Sequence, residues 1–385
     1  MDSLEEFGIY DLNEAYIKKG LDPVIFIRHL LDRIEKMEPI LGAFELVLSE
    51  RALAAAESAK SSFSSGYRIG PFHGIPFVLK DLVHVADTVT TGGTNAYADR
   101  ISSETATIAH RLLAGGGILL GKTKTVEVAY GPWGTNSERG TPWNPWDTET
   151  HRAPGGSSSG TGVAVAARLA TCGVGTDTGG SVRIPSAFCG LTGLKVTEGT
   201  LPLDGIQPLS HTLDTPGPMC RSVLDAAIMY ETMSGCEPHA ITADLKNDLG
   251  LYGAMKLGVE GLVFGVLTDR DRSIVEPDVL DSYDAALETL KALGAHLKPF
   301  SFPRDIDEMR FAVATIIGVE GYYYHGALYE NADNSMDEDV KKRIMAGKAE
   351  PSSEYIRVMR QRLDDRCAFL DAMDNISAIL TPSVP

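Results

Sequence analysis

Two helices are predicted near the start of the chain, the first of them amphipathic. Four apolar residues recur at helical spacing, namely Ile27, Leu30, Leu31 and Ile34. The dipeptide Asp22-Pro23 precedes them, and aspartate at the N-cap followed by proline at the first helical position is a favoured helix start. The pattern therefore predicts a helix over 23–37. A second helix is predicted from Ser49 to about Lys60, followed by the linker-like run SSFSSG at 61–66.

From Pro76 onward, short apolar runs alternate with helical patterns. The alternating runs are FVLKDL, ATIAHRLLA, GILLG, GVAVAARLA and CGVGTD. Strands that alternate with helices are typical of an α/β sheet. Further elements are a strand at 262–267, a helix over 277–293 that ends before Gly294, helices near 305–330 and 353–372, and a final apolar run at 376–380. The whole pattern predicts an α/β fold.

Length and charge exclude several classes of protein. At about 150 residues a domain, 385 residues correspond to two or three domains or to one large α/β domain. Thirty-five Lys and Arg against 52 Asp and Glu give a net charge of −17, which argues against direct binding to nucleic acid. No apolar run reaches the roughly 18 to 20 residues that cross a bilayer, and the acidic N-terminus lacks the basic region of a secretory signal. We therefore expect a cytoplasmic protein that binds neither nucleic acid nor membranes, with its five cysteines as reduced thiols.

The middle of the chain is unusually rich in glycine. Residues 155–199 hold 11 glycines in 45 positions, against 39 in all 385, and only five charged residues. A flexible linker would not also carry the apolar helix and strand patterns found there. Glycine between apolar elements instead indicates backbone that turns sharply or approaches a ligand closely. We therefore expect the active site in this segment.

Residues 116–123 match the phosphate-loop pattern GxxxxGK[ST]. Such a loop follows a strand and opens a helix, so that its amides face the phosphates. Here a helical pattern precedes the match, and Ile118, Leu119 and Leu120 within it are typical of a strand. We expect the match to be accidental, and nucleotide binding stays a minor alternative.

Residues 156–160 (GSSSG) fit the nucleophile-elbow pattern GxSxG, with Ser158 at the centre. That elbow needs a buried strand directly before it, and the preceding HRAP cannot form one. A triad of Ser158 with His211 and Asp214 remains formally open, but the spacing does not support it.

A third constellation joins a lysine to two serines. Ser181 follows the run GTDTGG, where its hydroxyl can lie beside several bare backbone amides, and such amides stabilise the oxyanion of an attacked carbonyl. None of the nine histidines lies in the glycine-rich segment, so Lys80 is the remaining candidate base, since burial can leave a lysine neutral. Plainer interpretations are that Ser157 caps the next helix and that Lys80 pairs with Asp81 or a loop carbonyl.

These motifs resemble the amidase signature family of Ser–cis-Ser–Lys hydrolases. The residues that carry the resemblance are PGGSSSG (154–160), GTDTGGSVRIPSAFCGLTGLK (175–195) and FVLKD (77–81), supported by NPWD (144–147) and LDTPGPM (213–219). The resemblance implies one large domain with a mixed central sheet covered by helices on both faces. Within it, residues 1–70 would be a helical segment packed on a core of 71–385.

The resemblance also assigns roles within the site. It implies Ser181 as the acyl-forming nucleophile, Ser157 as a bridging serine held by a cis peptide bond, and Lys80 as the terminal base. The oxyanion amides would be those of Thr178, Gly179, Gly180 and Ser181. Tyr130 and Gly131 align with pocket residues of relatives, and Tyr130 with Trp133 would suit an aromatic or medium apolar acyl group, although both could equally be core aromatics.

The chain also departs from the family pattern. Ser159, Thr161 and Val196 differ from the commonest residues, although none lies on the proton path. Family members usually continue beyond a segment like TPSVP, so we expect either a fragment or a shortened core that lacks the last strands of the sheet.

The expected activity is hydrolysis of a small-molecule amide without a metal or cofactor. The alternatives are the A subunit of a tRNA-dependent amidotransferase, whose usual signature is replaced here by LPLDGIQPLSHTLDT (201–215), and an inactive homologue that acts as a binding protein. Arg183 is expected to have a structural hydrogen-bonding role. A homodimer is compatible with the sequence, which does not fix the oligomeric state.

Overall fold

The computed structural model describes residues 4–18, 20–235 and 251–385. The chain divides into two compact units. The first comprises Met1–Leu245 with Glu320–Lys348, and the second comprises Lys246–Val319 with Ala349–Pro385. No helix in the described ranges is both long enough and apolar enough to span a membrane.

The described residues form two sheets. The strands are β1 (Phe44–Val47), β2 (Pro76–Lys80), β3 (Ile118–Thr123), β4 (Cys172–Asp177), β5 (Thr192–Gly193), β6 (Thr215–Cys220), β7 (Val263–Val266), β8 (His296–Pro299) and β9 (Ala378–Ile379). The first unit holds the larger sheet, in the order β1-β3-β2-β4-β6-β5. Its central strands β3, β2 and β4 run parallel, whereas β1, β6 and β5 each pair antiparallel. The sheet is therefore mixed, and the expected α/β class is confirmed.

Helices flank these strands in chain order. They are α1 (Ile9–Lys18), α2 (Pro23–Leu41), α3 (Ser49–Ser64), α4 (Thr107–Ala114), α5 (Ser159–Ala166), α6 (Arg183–Cys189), α7 (Val223–Ser234), α8 (Leu251–Met255), α9 (Asp269–Arg272), α10 (Pro277–Ala292), α11 (Ile306–Glu330), α12 (Glu338–Ala349) and α13 (Ser352–Ala372). Asp22 caps α2 as expected, with its carboxylate accepting from the Val24 amide at 2.8 Å.

Helix α5 lies across the centre of the larger sheet. It packs against β2, β3, β4 and β6, and seven of its eight residues are buried. Gly160 is required there, because a Cβ at that position would collide with the Ala43 carbonyl oxygen and the Lys124 backbone. The small residues of GTGVAVA thus let the helix approach the sheet closely.

Several boundaries differ from the sequence predictions. Helix α2 continues to Leu41, four residues beyond the predicted end, and stops where Gly42 adopts a left-handed conformation with φ 57°. Helix α3 runs to Ser64, so the predicted linker at 61–66 is mostly helical. The predicted helical segment 1–70 also supplies strand β1, which pairs with β3.

The second unit is built around a small parallel sheet. Strand β7 lies between β8 and β9 and pairs parallel with both. The Tyr283 hydroxyl on α10 donates to the Leu380 carbonyl at 2.9 Å and accepts from the Leu267 amide at 3.1 Å. One side chain thereby ties α10 to the segments that follow β7 and β9.

Candidate active site

The glycine-rich segment and Lys80 meet at one edge of the larger sheet. Lys80 is the last residue of β2, and the neighbouring parallel strand β4 ends at Asp177, just before the 178–181 turn. Parallel neighbours end at the same edge, so the residues after them come together. Ser157 reaches this edge from the segment that leads into α5.

Lys80 is fully buried between two hydroxyls. Its Nζ lies 2.7 Å from Ser157 Oγ and 2.8 Å from Thr176 Oγ1. Burial lowers the pKa of Lys80 to about 7, although the carboxylates of Asp214 and Asp177 act to raise it. A substantial neutral fraction therefore exists near pH 7, as a lysine base requires. The alternative that Lys80 pairs with Asp81 is wrong, since the Asp81 carboxylate lies 2.7 Å from Lys122 Nζ instead.

Ser157 is held by its backbone. The Gly156–Ser157 peptide bond is cis. The Ser157 carbonyl accepts from Thr125 Oγ1 at 3.0 Å and from the Val126 amide at 3.1 Å. Helix α5 begins only at Ser159, so the alternative that Ser157 caps it is wrong. The fixed backbone leaves the Ser157 hydroxyl beside Lys80.

Ser158 links the segment that carries Ser157 to the turn that carries Ser181. Its amide and its Oγ both lie within hydrogen-bonding distance of the Ser181 carbonyl, at 3.3 and 2.5 Å. The described residues directly before it, 142–157, form no strand, and His211 lies beside Glu320, 3.5 Å from its Oε2. The elbow interpretation is therefore wrong, because the Ser158 hydroxyl serves to hold the backbone of Ser181.

The turn that carries Ser181 is organised by Asp177. The Asp177 carboxylate accepts from the Gly180 amide at 2.8 Å and the Val182 amide at 3.1 Å, and Arg183 binds it through Nε and Nη2 at 3.0 and 2.8 Å. Burial acts to raise the pKa of Asp177, but these bonds and the charge of Arg183 outweigh it, so the pKa is lowered. The expected structural role of Arg183 is confirmed. Gly180 has φ +132°, a conformation that favours glycine.

The Gly180 amide is therefore occupied by Asp177, although it was in the predicted oxyanion set. In the described part of the chain, the amides of Thr178, Gly179 and Ser181 have no hydrogen-bond acceptor. Ser181 itself is buried. Three of the four predicted amides are thus available to a ligand.

Asp214 is a residue of the site whose contacts the sequence did not predict. Its Oδ1 accepts from Thr178 Oγ1 at 2.5 Å, and its Oδ2 accepts from the amides of Leu209 and Ser210 at 2.8 and 3.0 Å. Burial raises the pKa of Asp214, and the charge of Lys80 acts in the opposite direction. Asp214 lies in the motif LDTPGPM, and this motif was the feature of the sequence that could have indicated its place in the site.

The predicted pocket residues lie in a strained segment. Val128 and Ala129 both have positive φ, 44° and 63°. Tyr130 packs against the cluster formed by Val126, Val128, Tyr329, Met336, Val340 and Ile344. Its carbonyl accepts from Arg343 Nη1 at 2.8 Å, whereas Trp133 is 54% exposed. Tyr130 therefore packs against the core, Trp133 does not, and substrate contact by Tyr130 and Gly131 stays a prediction.

Residues 116–123 do not form a phosphate loop. Strand β3 covers most of the match, and Lys122 is fully buried in its ion pair with Asp81. The expectation that the match is accidental is confirmed. In the described ranges, no cluster of three or more His, Cys, Asp or Glu side chains could hold a metal ion.

Comparison with known proteins defines the class. The Amidase family model matches residues 26–385. The chain is 32% identical to the A subunit of glutamyl-tRNA(Gln) amidotransferase from Alkaliphilus metalliredigens, over 99% of this chain and 82% of that protein. It is also 32% identical to 2-amino-5-chloromuconic acid deaminase of Comamonas testosteroni, over 96% of this chain and 78% of that protein. The native peptide amidase of Stenotrophomonas maltophilia superposes with a TM-score of 0.78 at 27% identity, over 98% of this chain and 85% of that one.

The chain therefore belongs to the Amidase family and is an amidase signature enzyme that hydrolyses C–N bonds.

Proposed function

We propose that the protein hydrolyses a small-molecule carboxamide through an acyl-enzyme on Ser181. The observation that carries the proposal is the 2.7 Å contact between Ser157 Oγ and Lys80 Nζ, in a fully buried setting that lowers the pKa of Lys80 to about 7. A neutral amine beside a hydroxyl is a base–nucleophile relay that needs no imidazole.

Acylation follows from that relay. Ser181 Oγ attacks the amide carbonyl and passes its proton to Ser157, while Ser157 passes its own proton to Lys80. The amides of Thr178, Gly179 and Ser181 stabilise the oxyanion, and one such donor contributes about 3 to 4 kcal/mol to lowering the barrier. The C–N bond then breaks as Ser157 returns a proton to the departing nitrogen and recovers one from Lys80.

Deacylation repeats the relay with water. A water molecule gives its proton to Ser157, which passes its own proton to Lys80, as the water oxygen attacks the carbonyl carbon of the Ser181 ester. The Lys80 ammonium then returns a proton through Ser157 to the Ser181 oxygen, the ester C–O bond breaks and the carboxylic acid leaves. This last transfer restores the neutral amine, so the relay needs no external acid or base.

The substrate class is proposed from the neighbourhood of the site. Tyr130 and Gly131 would line an acyl pocket that takes an aromatic or medium apolar group. A second candidate substrate is the side-chain amide of glutamine. It is supported by the similarity to the A subunit of glutamyl-tRNA(Gln) amidotransferase, which extends over 99% of this chain. The retained Lys80, Ser157 and Ser181 favour both candidates over a non-enzymatic binding role.

Labelling and a substrate panel test the proposal. A fluorophosphonate probe is expected to form one stoichiometric adduct on wild type at Ser181 and none on Ser181→Ala, with both proteins folded by circular dichroism. Hydrolysis of aryl, aliphatic and carboxylated amides, and ammonia release from glutamine, separate the two candidates. Undiminished turnover by Ser181→Ala would end the assignment, and a folded wild type that takes no label and cleaves none of these amides would favour the binding role.

A further inference from the structure

A cavity of about 410 Å³ lies in the first unit at the C-terminal ends of helices α5 and α6. Helix α5 begins at Ser159, just after Ser157, and contributes Ala166 to the cavity, while α6 begins just after Ser181 and contributes Cys189. An eight-residue helix is about 12 Å long, so the length of α5 separates the cavity from the serines. The cavity is therefore distinct from the catalytic site, and its volume is typical of sites for small molecules.

The charges that line this cavity have one sign. Arg33, Arg168 and Arg221 line it, whereas no aspartate or glutamate of the described residues does. Two carboxylates approach the arginines from outside the lining, with Glu5 Oε1 at 3.5 Å from Arg33 Nη1 and Glu6 Oε2 at 2.8 Å from Arg168 Nη2. Three guanidiniums beside two carboxylates leave one positive charge, in a chain whose net charge is −17.

The guanidiniums are incompletely satisfied by the protein. Arg221 donates to five backbone carbonyl oxygens and forms no ion pair with a carboxylate of the described residues. The Nε atoms of Arg33 and Arg168 are buried and have no acceptor in the described ranges. Burial lowers the pKa of Arg221, and the charge of Arg168 lowers it further, although Asp225 opposes both. An anion in the cavity would relieve this repulsion between the two arginines.

Arg168 has a backbone conformation that favours glycine. It follows the end of α5 with φ +58°, and its amide donates to the Val165 carbonyl at 3.2 Å. A larger residue in this conformation is strained, and such strain is common at functional sites. The ion pair of Arg168 with Glu6 is partly exposed on both sides, so it contributes little to stability. The fold therefore does not explain an arginine at this position.

An exposed tryptophan ring lies beside the arginines. Trp146 lines the cavity and is 75% exposed, yet its Nε1 donates to the Cys189 carbonyl at 2.9 Å. A Cβ at Gly190 would lie 3.1 Å from the ring, so the ring lies against the Gly190 backbone. Met37 and Leu191 add apolar surface to the lining. The ring is thus held in place while most of its surface stays open to a ligand.

We propose that this cavity binds a small aromatic carboxylate. The carboxylate would lie among the guanidiniums of Arg33, Arg168 and Arg221, and the aromatic ring would pack on Trp146. Guanidiniums form strong paired hydrogen bonds with carboxylates, and aromatic rings pack favourably on one another. The single excess positive charge matches a monoanion. Because the site is separate from the catalytic serines, its test requires no amide hydrolysis.

Calorimetric titration with naphthoate tests the anion site. Wild type is expected to bind naphthoate with a dissociation constant of about 0.1 mM, and naphthalenemethanol, which lacks the charge, at least about tenfold more weakly. Arg168→Gly should weaken naphthoate binding about tenfold or more, while its urea midpoint should not fall, because glycine suits φ +58°. The control is Arg152→Met, which removes an exposed arginine paired with Asp147 outside the cavity and should leave the affinity unchanged.

Fluorine NMR of protein labelled with fluorotryptophan tests the location. The signals of the three tryptophans are assigned with Trp→Phe variants. Naphthoate should shift the Trp146 signal and leave that of Trp133, which lies next to the proposed acyl pocket, in place. A wild type that does not bind naphthoate overturns the proposal, as does equal affinity for naphthalenemethanol. Undiminished binding by Arg168→Gly, or a shift of the Trp133 signal without one at Trp146, overturns it as well.

Discussion

Two buried lysines on adjacent strands of the larger sheet have opposite surroundings. Lys80 on β2 faces the hydroxyls of Ser157 and Thr176, whereas Lys122 on β3 lies 2.7 Å from the Asp81 carboxylate and 2.8 Å from Thr90 Oγ1. Burial lowers the pKa of both, to about 7 for Lys80, and for Lys122 the adjoining carboxylate opposes that effect. A buried lysine with hydroxyl partners can act as a base, while one with a carboxylate partner stays an ion pair.

The consecutive residues Lys80 and Asp81 thus serve different purposes. Asp81 also accepts from the Thr91 amide and Thr91 Oγ1, at 2.8 and 2.5 Å, so its pair with Lys122 fixes the loop after β2. Because Lys122 occupies Asp81, no carboxylate of the described residues lies within hydrogen-bonding distance of Lys80 Nζ. The structural pair is therefore part of what keeps the amine neutral.

The largest expected effect comes from removing the amine. Lys80→Met should lower kcat/KM for amide hydrolysis by about 10³-fold, since it removes the proposed terminal base. The unfolding free energy should not fall, because burying an ionisable amine is itself costly. Steady-state kinetics and urea unfolding measure the two quantities. Activity within about tenfold of wild type would contradict a general-base role for Lys80.

The matching change at the other lysine should act on stability. Lys122→Met leaves the Asp81 carboxylate buried without its partner, so the unfolding free energy should fall by about 3 to 5 kcal/mol. The control is Asp81→Asn/Lys122→Met, which removes the stranded charge but keeps an acceptor for Thr91. Urea unfolding should show partial recovery in the double variant. Equal losses in both proteins would mean that the charge is not the cause.

The fold was predictable where apolar runs are bounded by turn residues. Strands β2, β3 and β4 were predicted from runs that end at glycine, proline or polar residues. Helix α12 was not predicted, because half of its residues are charged and its buried apolar side chains, Val340 and Ile344, are too few to give a clear period. The end of α3 was missed because Ser61, Ser62 and Ser64 are individually typical of a loop, and the helix propagates through them.

The site was predictable only in part. The residue types and their glycine-rich setting pointed to Lys80, Ser157 and Ser181, but the approach of Lys80 to Ser157 spans 77 positions and depends on the parallel pairing of β2 with β4. The bond from Thr178 to Asp214 spans 36 positions and has no local pattern. The Gly180 amide was assigned to the oxyanion set because the sequence does not show that Asp177 accepts from it.

The smallest expected effect tests how a carboxylate that does not contact Lys80 changes the pKa of Lys80. If the neutral amine is the base, as we propose, kcat/KM of wild type should rise with pH through about 7 and then level off. The Asp214 carboxylate favours the charged form of Lys80, so Asp214→Asn should lower the pKa of Lys80. The rise of kcat/KM with pH, called here the acid limb, should therefore move to lower pH by less than about one unit. The position of the acid limb is measured from the pH dependence of kcat/KM for wild type and variant.

A carboxylate elsewhere in the same unit provides the control for that shift. Asp225 is buried on α7, where its Oδ1 accepts from the Tyr10 amide at 3.2 Å, and it is not among the charges that act on Lys80. Asp225→Asn should therefore leave the limb in place, whatever it does to stability. A limb that moves to higher pH in Asp214→Asn, or equally in both variants, would show that Asp214 does not favour the charged amine. The low pKa of Lys80 would then be set by its burial, opposed by Asp177, and the role of Asp214 would be confined to holding Thr178 in the turn before the proposed nucleophile.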